Sequence, residues 1–168
     1  DSDLNHCIEA RTFIDCSGDS VLAHAAGAEL RTGRESREEY NESLALENAD
    51  KKTMGSTIHF RAENMGHPVA FKAPAWALKF TGTDLPYRVH NSPQSGYWWI
   101  EYGGEIDTIG DNEKIYRKML AVLYGVWDHL KNSGEHPDAE NYVITWISSY
   151  PEKRESRRIM GDHILTQN

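Results

Sequence analysis

The chain has 168 residues, 39% hydrophobic and 10% aromatic, a composition that supports a buried core in one domain and argues against disorder. It carries 18 Lys and Arg against 26 Asp and Glu, a formal net charge of −8, and such a chain suits phosphate backbones poorly unless one face gathers its cations. No apolar run approaches the roughly 20 residues that span a bilayer, so neither a nucleic-acid partner nor a membrane span is expected.

The first residues, "DSDLNHCIEARTFIDCSGDS", contain no initiator Met and no signal-peptide pattern. They run directly into strand-like composition, and the C-terminal "GDHILTQN" stops as abruptly, so the expectation is a segment of a longer protein. Ile8–Cys16 reads as a strand with Phe13 and Ile14 at its apolar end. "GDSVLAHAAGAEL" follows as a turn into a short helix, with Asp19 or Ser20 as its cap and Gly27 or Gly33 as its stop. "ESREEYNESLALENADKK" reads as a second short helix or a solvated connector.

"STIHFRAE" alternates as a half-buried strand does, with Ile58, Phe60 and Ala62 on one face and Thr57, His59, Arg61 and Glu63 on the other. From Asn64 to Ser95 the chain holds four of its six prolines and no period; an irregular connection of that length is more often functional than idle. "GYWWIEYGG" reads as the next strand, Trp98, Ile100 and Tyr102 sharing a face. The clearest element is the helix in "DNEKIYRKMLAVLYGVWDHLKNSG", where Ile115, Met119, Val122, Leu123, Val126 and Leu130 form a stripe of period 3.6. It is capped by Asp111 or Asn112 and stops near Gly134. "NYVITWISS" is a third strand. Strands separated by long connections indicate an α+β fold: a small mixed, mainly antiparallel sheet with one long amphipathic helix packed on it.

Two stretches carry candidate chemistry. In "FIDCSGDS" a strand ends in a turn of small residues and leads into a helix, an arrangement whose backbone N–H groups suit a phosphate or ribose; the competing reading is that Asp19 caps its own helix. In "PEKRESRR" four cations and two carboxylates follow a strand. Arginine forks suit anionic groups, and Glu155 between Arg154 and Arg157 is placed to orient them; the competing reading is a solvated turn with weak ion pairs. Trp98 and Trp99 are adjacent on one strand, so one of them is free to line a pocket. His59 on the polar strand face is a candidate acid or base. Cys7 and Cys16 form no metal pattern or disulfide framework, and the eight histidines show no H-E-x-x-H spacing, so no metal site is assigned.

The succession "FIDCSGDSVLAHAAGAELRTGRES", "YWWIEYGG", "DNEKIYRKMLAVLYGVWDHLKN" and "PEKRESRRIMGDHILTQ" resembles the FAD-dependent oxidoreductases related to the fumarate reductase and glucose-inhibited-division flavoproteins. The likeness extends over most of the chain and is weakest in the proline-bearing stretch. It implies a Rossmann-like FAD domain with a substrate domain inserted into it. Residues 1–35 would be a strand-turn-helix edge of the FAD domain, and residues 36–168 the inserted domain. Ser17, Gly18 and Asp19 would lie nearest the cofactor; Arg154, Glu155, Arg157, Trp98 and Trp99 would contact substrate, with His59 and Arg154 candidates for catalysis. Cys16 and Ser17 stand where the family usually has Ala and Thr, and Glu152 where it often has Gly. No G-x-G-x-x-G segment is present, so FAD would belong to the whole protein, whose N- and C-terminal FAD-binding segments are the expected partners alongside a small-molecule or sugar-like substrate. Members of the family also carry xanthan lyase labels, which makes a carbohydrate-binding or polysaccharide-processing domain the alternative.

Overall fold

A computed structural model describes residues 5–94 and 96–168, so the first four residues of the expected 1–35 segment, and Ser95, lie outside the described residues. In chain order the elements are α1 (Val21–Ala25), β1 (Leu30–Thr32), α2 (Arg37–Tyr40), β2 (Ser56–Thr57), β3 (Phe60–Asn64), β4 (Glu101–Tyr102), α3 (Asn112–Asn132), β5 (Tyr142–Ile147) and β6 (Arg157–Ile159), with 3₁₀ turns at Gly82–Asp84 and Pro137–Ala139. The strands form three antiparallel pairs: β1 with β6, β2 with β4, and β3 with β5. The fold is α+β, with its short sheets antiparallel and one long helix. Among the described residues no helix is long and apolar enough to cross a membrane.

Helix α3 is the structural centre. Its stripe of Ile115, Met119, Leu123, Val126, Trp127 and Leu130 is buried to 2% exposure or less, and each such side chain contributes about 1.5–3 kcal/mol by leaving water. Facing it are Ile58, Phe60 and Ala62, the apolar set expected from the alternation of "STIHFRAE", all buried. Phe60 meets Tyr97 and Trp127 edge-on, with ring centroids 5.7 and 5.5 Å away, the geometry an aromatic quadrupole favours. The helix ends before Gly134, whose φ of 82° suits glycine. Beyond it, the Lys131 ammonium donates to the carbonyls of Ala139, Glu140 and Tyr142 at 2.9, 2.6 and 2.9 Å, tying the helix end to the start of β5.

The proline-bearing stretch is fastened to this body. The Ala62 and Met65 amides donate to the carbonyls of Gln94 and Asn141, and the Leu78 amide donates to the Ala121 carbonyl of α3 at 2.9 Å. At that crossing α3 carries Gly125, where a Cβ would collide with the Leu78 carbonyl. A glycine inside a helix costs about 1 kcal/mol relative to alanine; here it lets two backbones touch.

Three local expectations are corrected. Residues 8–16 pair with no strand among the described residues, and Ile8, Phe13 and Ile14 are 75, 58 and 80% exposed. In "GYWWIEYGG" only Glu101 and Tyr102 are strand, because the Ile100 amide donates to the Tyr97 carbonyl and closes a turn at Trp98–Trp99. Tyr97 and Ile100 are thereby buried together while Trp98 is 67% exposed. Finally, Asp19 does not cap α1. Ser20 occupies the cap position in a left-handed conformation without a side-chain cap bond, and the free helix amides are met from further back, Val21 N–H by Ser17 Oγ at 2.7 Å and Ala23 N–H by Asp15 Oδ2 at 2.9 Å.

Candidate functional site

The charged window after β5 is held extended along β2. Thr57 and Glu152 exchange backbone hydrogen bonds of 2.9 and 2.8 Å, and the Met54 amide donates to the Glu155 carbonyl. With the backbone fixed, neighbouring side chains leave in different directions, as they must from an extended chain.

One group converges on Asp19. Ser156 Oγ donates to Asp19 Oδ1 at 2.6 Å, Lys153 Nζ lies 3.4 Å from Asp19 Oδ2, and Arg157 Nε donates to the Asp19 carbonyl at 2.8 Å. Ser20 Oγ returns a bond to the Arg157 carbonyl at 3.1 Å. The Asp19 and Lys153 side chains are only 13 and 23% exposed, where a charge-assisted bond is worth more than on an open surface. These contacts join residues far apart in the chain, Ser156 and Arg157 lying 137 and 138 positions from Asp19, and pairing of β1 with β6 follows at once. The two stretches singled out by the sequence are therefore one structure. Lys153 and Ser156 escaped the sequence reading, which weighed the arginines of the window and not the residues between them.

The other side chains of the window go elsewhere. Arg154 Nη1 donates to Glu101 Oε2 at 2.9 Å, while Glu101 Oε1 accepts from the Gly55 amide at 3.2 Å. Glu155 accepts from Arg158 Nη1 at 2.6 Å, so the cation it orients is Arg158 and not Arg154 or Arg157. Arg157 and the partner of Arg154 consequently border different clefts. Arg157 and Ser156 line one of about 480 Å³ together with Lys51, Thr53 and Asp107; the Gly110 and Ile109 amides hold the Asp107 carboxyl below its usual range. Glu101, the partner of Arg154, lines a second cleft of about 450 Å³ with Trp98, Trp99 and Arg88. Trp99 stacks on Tyr97 with centroids 5.2 Å apart and planes 5° from parallel, and its Nε1 donates to the Val89 carbonyl at 2.9 Å. That leaves Trp98 as the free ring. Burial pushes the Tyr97 phenol up to about 12.

His59 lies between β2 and β3, outside both strands of the expected single run and half-buried, while Thr57, expected on the same polar face, is buried; His59 has a defined partner. Its Nδ1 is 2.5 Å from Glu152 Oε2, and Ser148 Oγ donates to Glu152 Oε1 at 2.6 Å. A carboxylate held by a buried serine and aimed at an imidazole nitrogen fixes the tautomer and leaves Nε2 for proton exchange. In the turn before α1, Ser17 and Gly18 are exposed. Gly18 adopts φ 80° with nothing within 4 Å of where a Cβ would stand, so the turn is open to an approaching group.

The FAD-dependent oxidoreductase family model matches residues 2–168. The chain belongs to the FAD-dependent oxidoreductase family. No curated protein and no solved structure gave a match. Membership makes FAD the cofactor of the flavoprotein this chain represents. The residues present fit one edge of such a cofactor: an open glycine turn and an aspartate locked to a cationic strand. They do not fit its enclosure, since this family member's 168 residues hold no glycine-rich dinucleotide loop.

Proposed function

We propose that residues 36–168 are the substrate domain of the flavoenzyme and residues 1–35 the edge of its FAD-binding domain. Bound FAD supplies the ring that exchanges hydride with substrate. The observation that carries this reading is the junction of Asp19 with Ser156 and Arg157, which fixes the turn at Ser17, Gly18 and Asp19 against the cationic window. In this reading Ser17, Gly18 and Asp19 meet the polar parts of the cofactor. Arg157 presents its guanidinium to an anionic group, and Arg154, oriented by Glu101, flanks the cleft where Trp98 stacks on substrate beside Trp99. Glu155 sets the cationic face through Arg158. His59, backed by Glu152, exchanges a proton at Nε2.

The test is made on the whole protein. Asp19→Ala should strip flavin from the purified enzyme, seen as loss of its visible absorption. Arg154→Ala should keep the flavin spectrum and raise KM by about 10- to 100-fold, the loss of a charge-assisted bond. Unchanged flavin content in the first variant and unchanged KM in the second would defeat the assignment. The exposed Trp98 and the nearby Arg88 also suit a uronic-acid sugar, which supports a second, polysaccharide-processing reading. Appearance of unsaturated-uronide absorbance on incubation with an acidic polysaccharide would favour it over redox turnover.

A further inference from the structure

Away from the window, three histidines distant in sequence meet at one point. His90 comes from the proline-bearing stretch, His129 from the last turn of α3, and His136 stands immediately before the 3₁₀ turn at Pro137–Ala139. One ring nitrogen from each lies within 4.8 Å of the other two, and the ring centroids are 5.0 to 5.4 Å apart. The rings are tilted or edge-on to one another.

The polar accounting of this cluster does not close with protein atoms alone. His129 is 3% exposed, yet neither its Nδ1 nor its Nε2 has a hydrogen-bond partner, and His136 Nε2 is buried without one. An unmet buried polar group costs about 1–3 kcal/mol, and three such nitrogens in one cluster need a common explanation. His90 shows what it is. Its Nδ1 bonds the Arg88 carbonyl, which leaves Nε2 as the lone-pair nitrogen, the arrangement found where an imidazole ligates a metal and its second nitrogen is held by a carbonyl. The loop bearing His90 is braced by the Trp99 indole on the Val89 carbonyl. Glu135 Oε2 lies 3.8 Å from His129 Nε2, at the edge of the cluster, while the three imidazoles alone share the 4.8 Å grouping.

We propose that His90, His129 and His136 form a site for a single borderline-soft divalent metal ion of the zinc class. Nitrogens bound to tetrahedral Zn²⁺ at about 2.0–2.1 Å stand about 3.4 Å from each other, so the cluster, with its nitrogens within 4.8 Å, closes by at most about 1.4 Å. His90 and His136, both outside regular helix, supply that movement toward His129, which α3 holds in place. Held by residues from three separate segments, the ion clamps the irregular stretch and the 136–139 turn to the end of α3. Imidazole ligands favour Zn²⁺ or Co²⁺ over the hard, oxygen-preferring Mg²⁺ and Ca²⁺.

The experiment is a Co²⁺ titration of the whole, chelator-treated protein, followed by its visible ligand-field absorption. The expected result is about one Co²⁺ per chain with the intense bands of tetrahedral coordination, displaced by Zn²⁺. His90→Ala and His136→Ala lie outside the core and should retain the far-ultraviolet circular dichroism of the parent. Each should weaken Co²⁺ binding by more than about 100-fold, beyond what loss of a supporting residue gives. Tetrahedral bands that persist in both variants, or no bands at millimolar Co²⁺, would overturn the proposal. Asp19→Ala serves as a control, since it should leave these bands unchanged even where flavin is lost.

Discussion

The body around α3 and the segment before α1 are built from similar residues and treated in opposite ways. Around α3, a stripe of aliphatic and aromatic side chains is sealed against β3, β5 and the stretch after Tyr97, and Trp127 is 2% exposed. Before α1, Phe13 and Ile14 remain 58 and 80% exposed, and the backbone of residues 8–16 pairs with no strand among the described residues. Apolar content thus does not decide burial by itself. Burial requires an opposing surface, and the helix has one within the chain while Ile8, Phe13 and Ile14 meet none that buries them among the described residues. The contrast agrees with the proposed division, in which this segment is the edge of another domain.

The largest effect is expected in the body. Trp127→Ala should cost about 3–5 kcal/mol, the range for emptying a buried aromatic site, read as a lower urea midpoint. Lys131→Met comes next: it leaves three carbonyls without their cation and should cost about 1.5–3 kcal/mol, again by urea denaturation. At α1 the effect is local and depends on pH. The Ser17 hydroxyl, followed by the Ala23 and Ser17 amides, lowers the Asp15 carboxyl from 3.8 to about 2. A carboxyl lowered in the folded state adds stability that is complete above its unfolded value and fades as pH falls through the folded one. Hydrogen exchange of the Ala23 amide should therefore be protected above pH 3.8 and lose that protection as pH falls toward about 2. In Asp15→Asn the protection should be weak at every pH. The smallest effect separates the two regions most sharply. Phe13→Ala should change the stability of this chain alone by less than about 0.5 kcal/mol. The same substitution in the whole protein should cost about 3 kcal/mol or more if another domain covers the ring; equal small effects in both would break the comparison.

What could be read from the sequence follows from the range of the interaction. Periodicity is local, and both the stripe of α3 and the alternation of Ile58, Phe60 and Ala62 appear where expected. The Tyr97–Tyr102 strand was misread because a turn at Trp98–Trp99 leaves the alternation of residue types intact while reversing which rings are buried. Asp19 follows the same logic at longer range: its preference for capping is real, but Ser156 and Lys153 bind it from the far end of the chain. The resemblance, carried most specifically by the long helix and "KRESRR", gave the FAD-dependent oxidoreductase family, whereas the separate destinations of Arg154, Glu155 and Arg157 are visible only once the backbone is laid along β2. The gathering of His90, His129 and His136 had no sequence signal, since their spacing follows no motif.

The contact between Leu78 and Gly125 has a consequence for how the chain tolerates change. A loop closed only at its ends pays an entropy that grows with its length. The stretch from 64 to 94 is also pinned at its middle, so it folds as two short spans. Lengthening either span at a point away from Leu78 should be accepted at little cost, and homologues are free to differ there in size. A side chain at Gly125 would lift the pin and turn two short loops into one long one, so a single helical position governs how much of the surface stretch can vary.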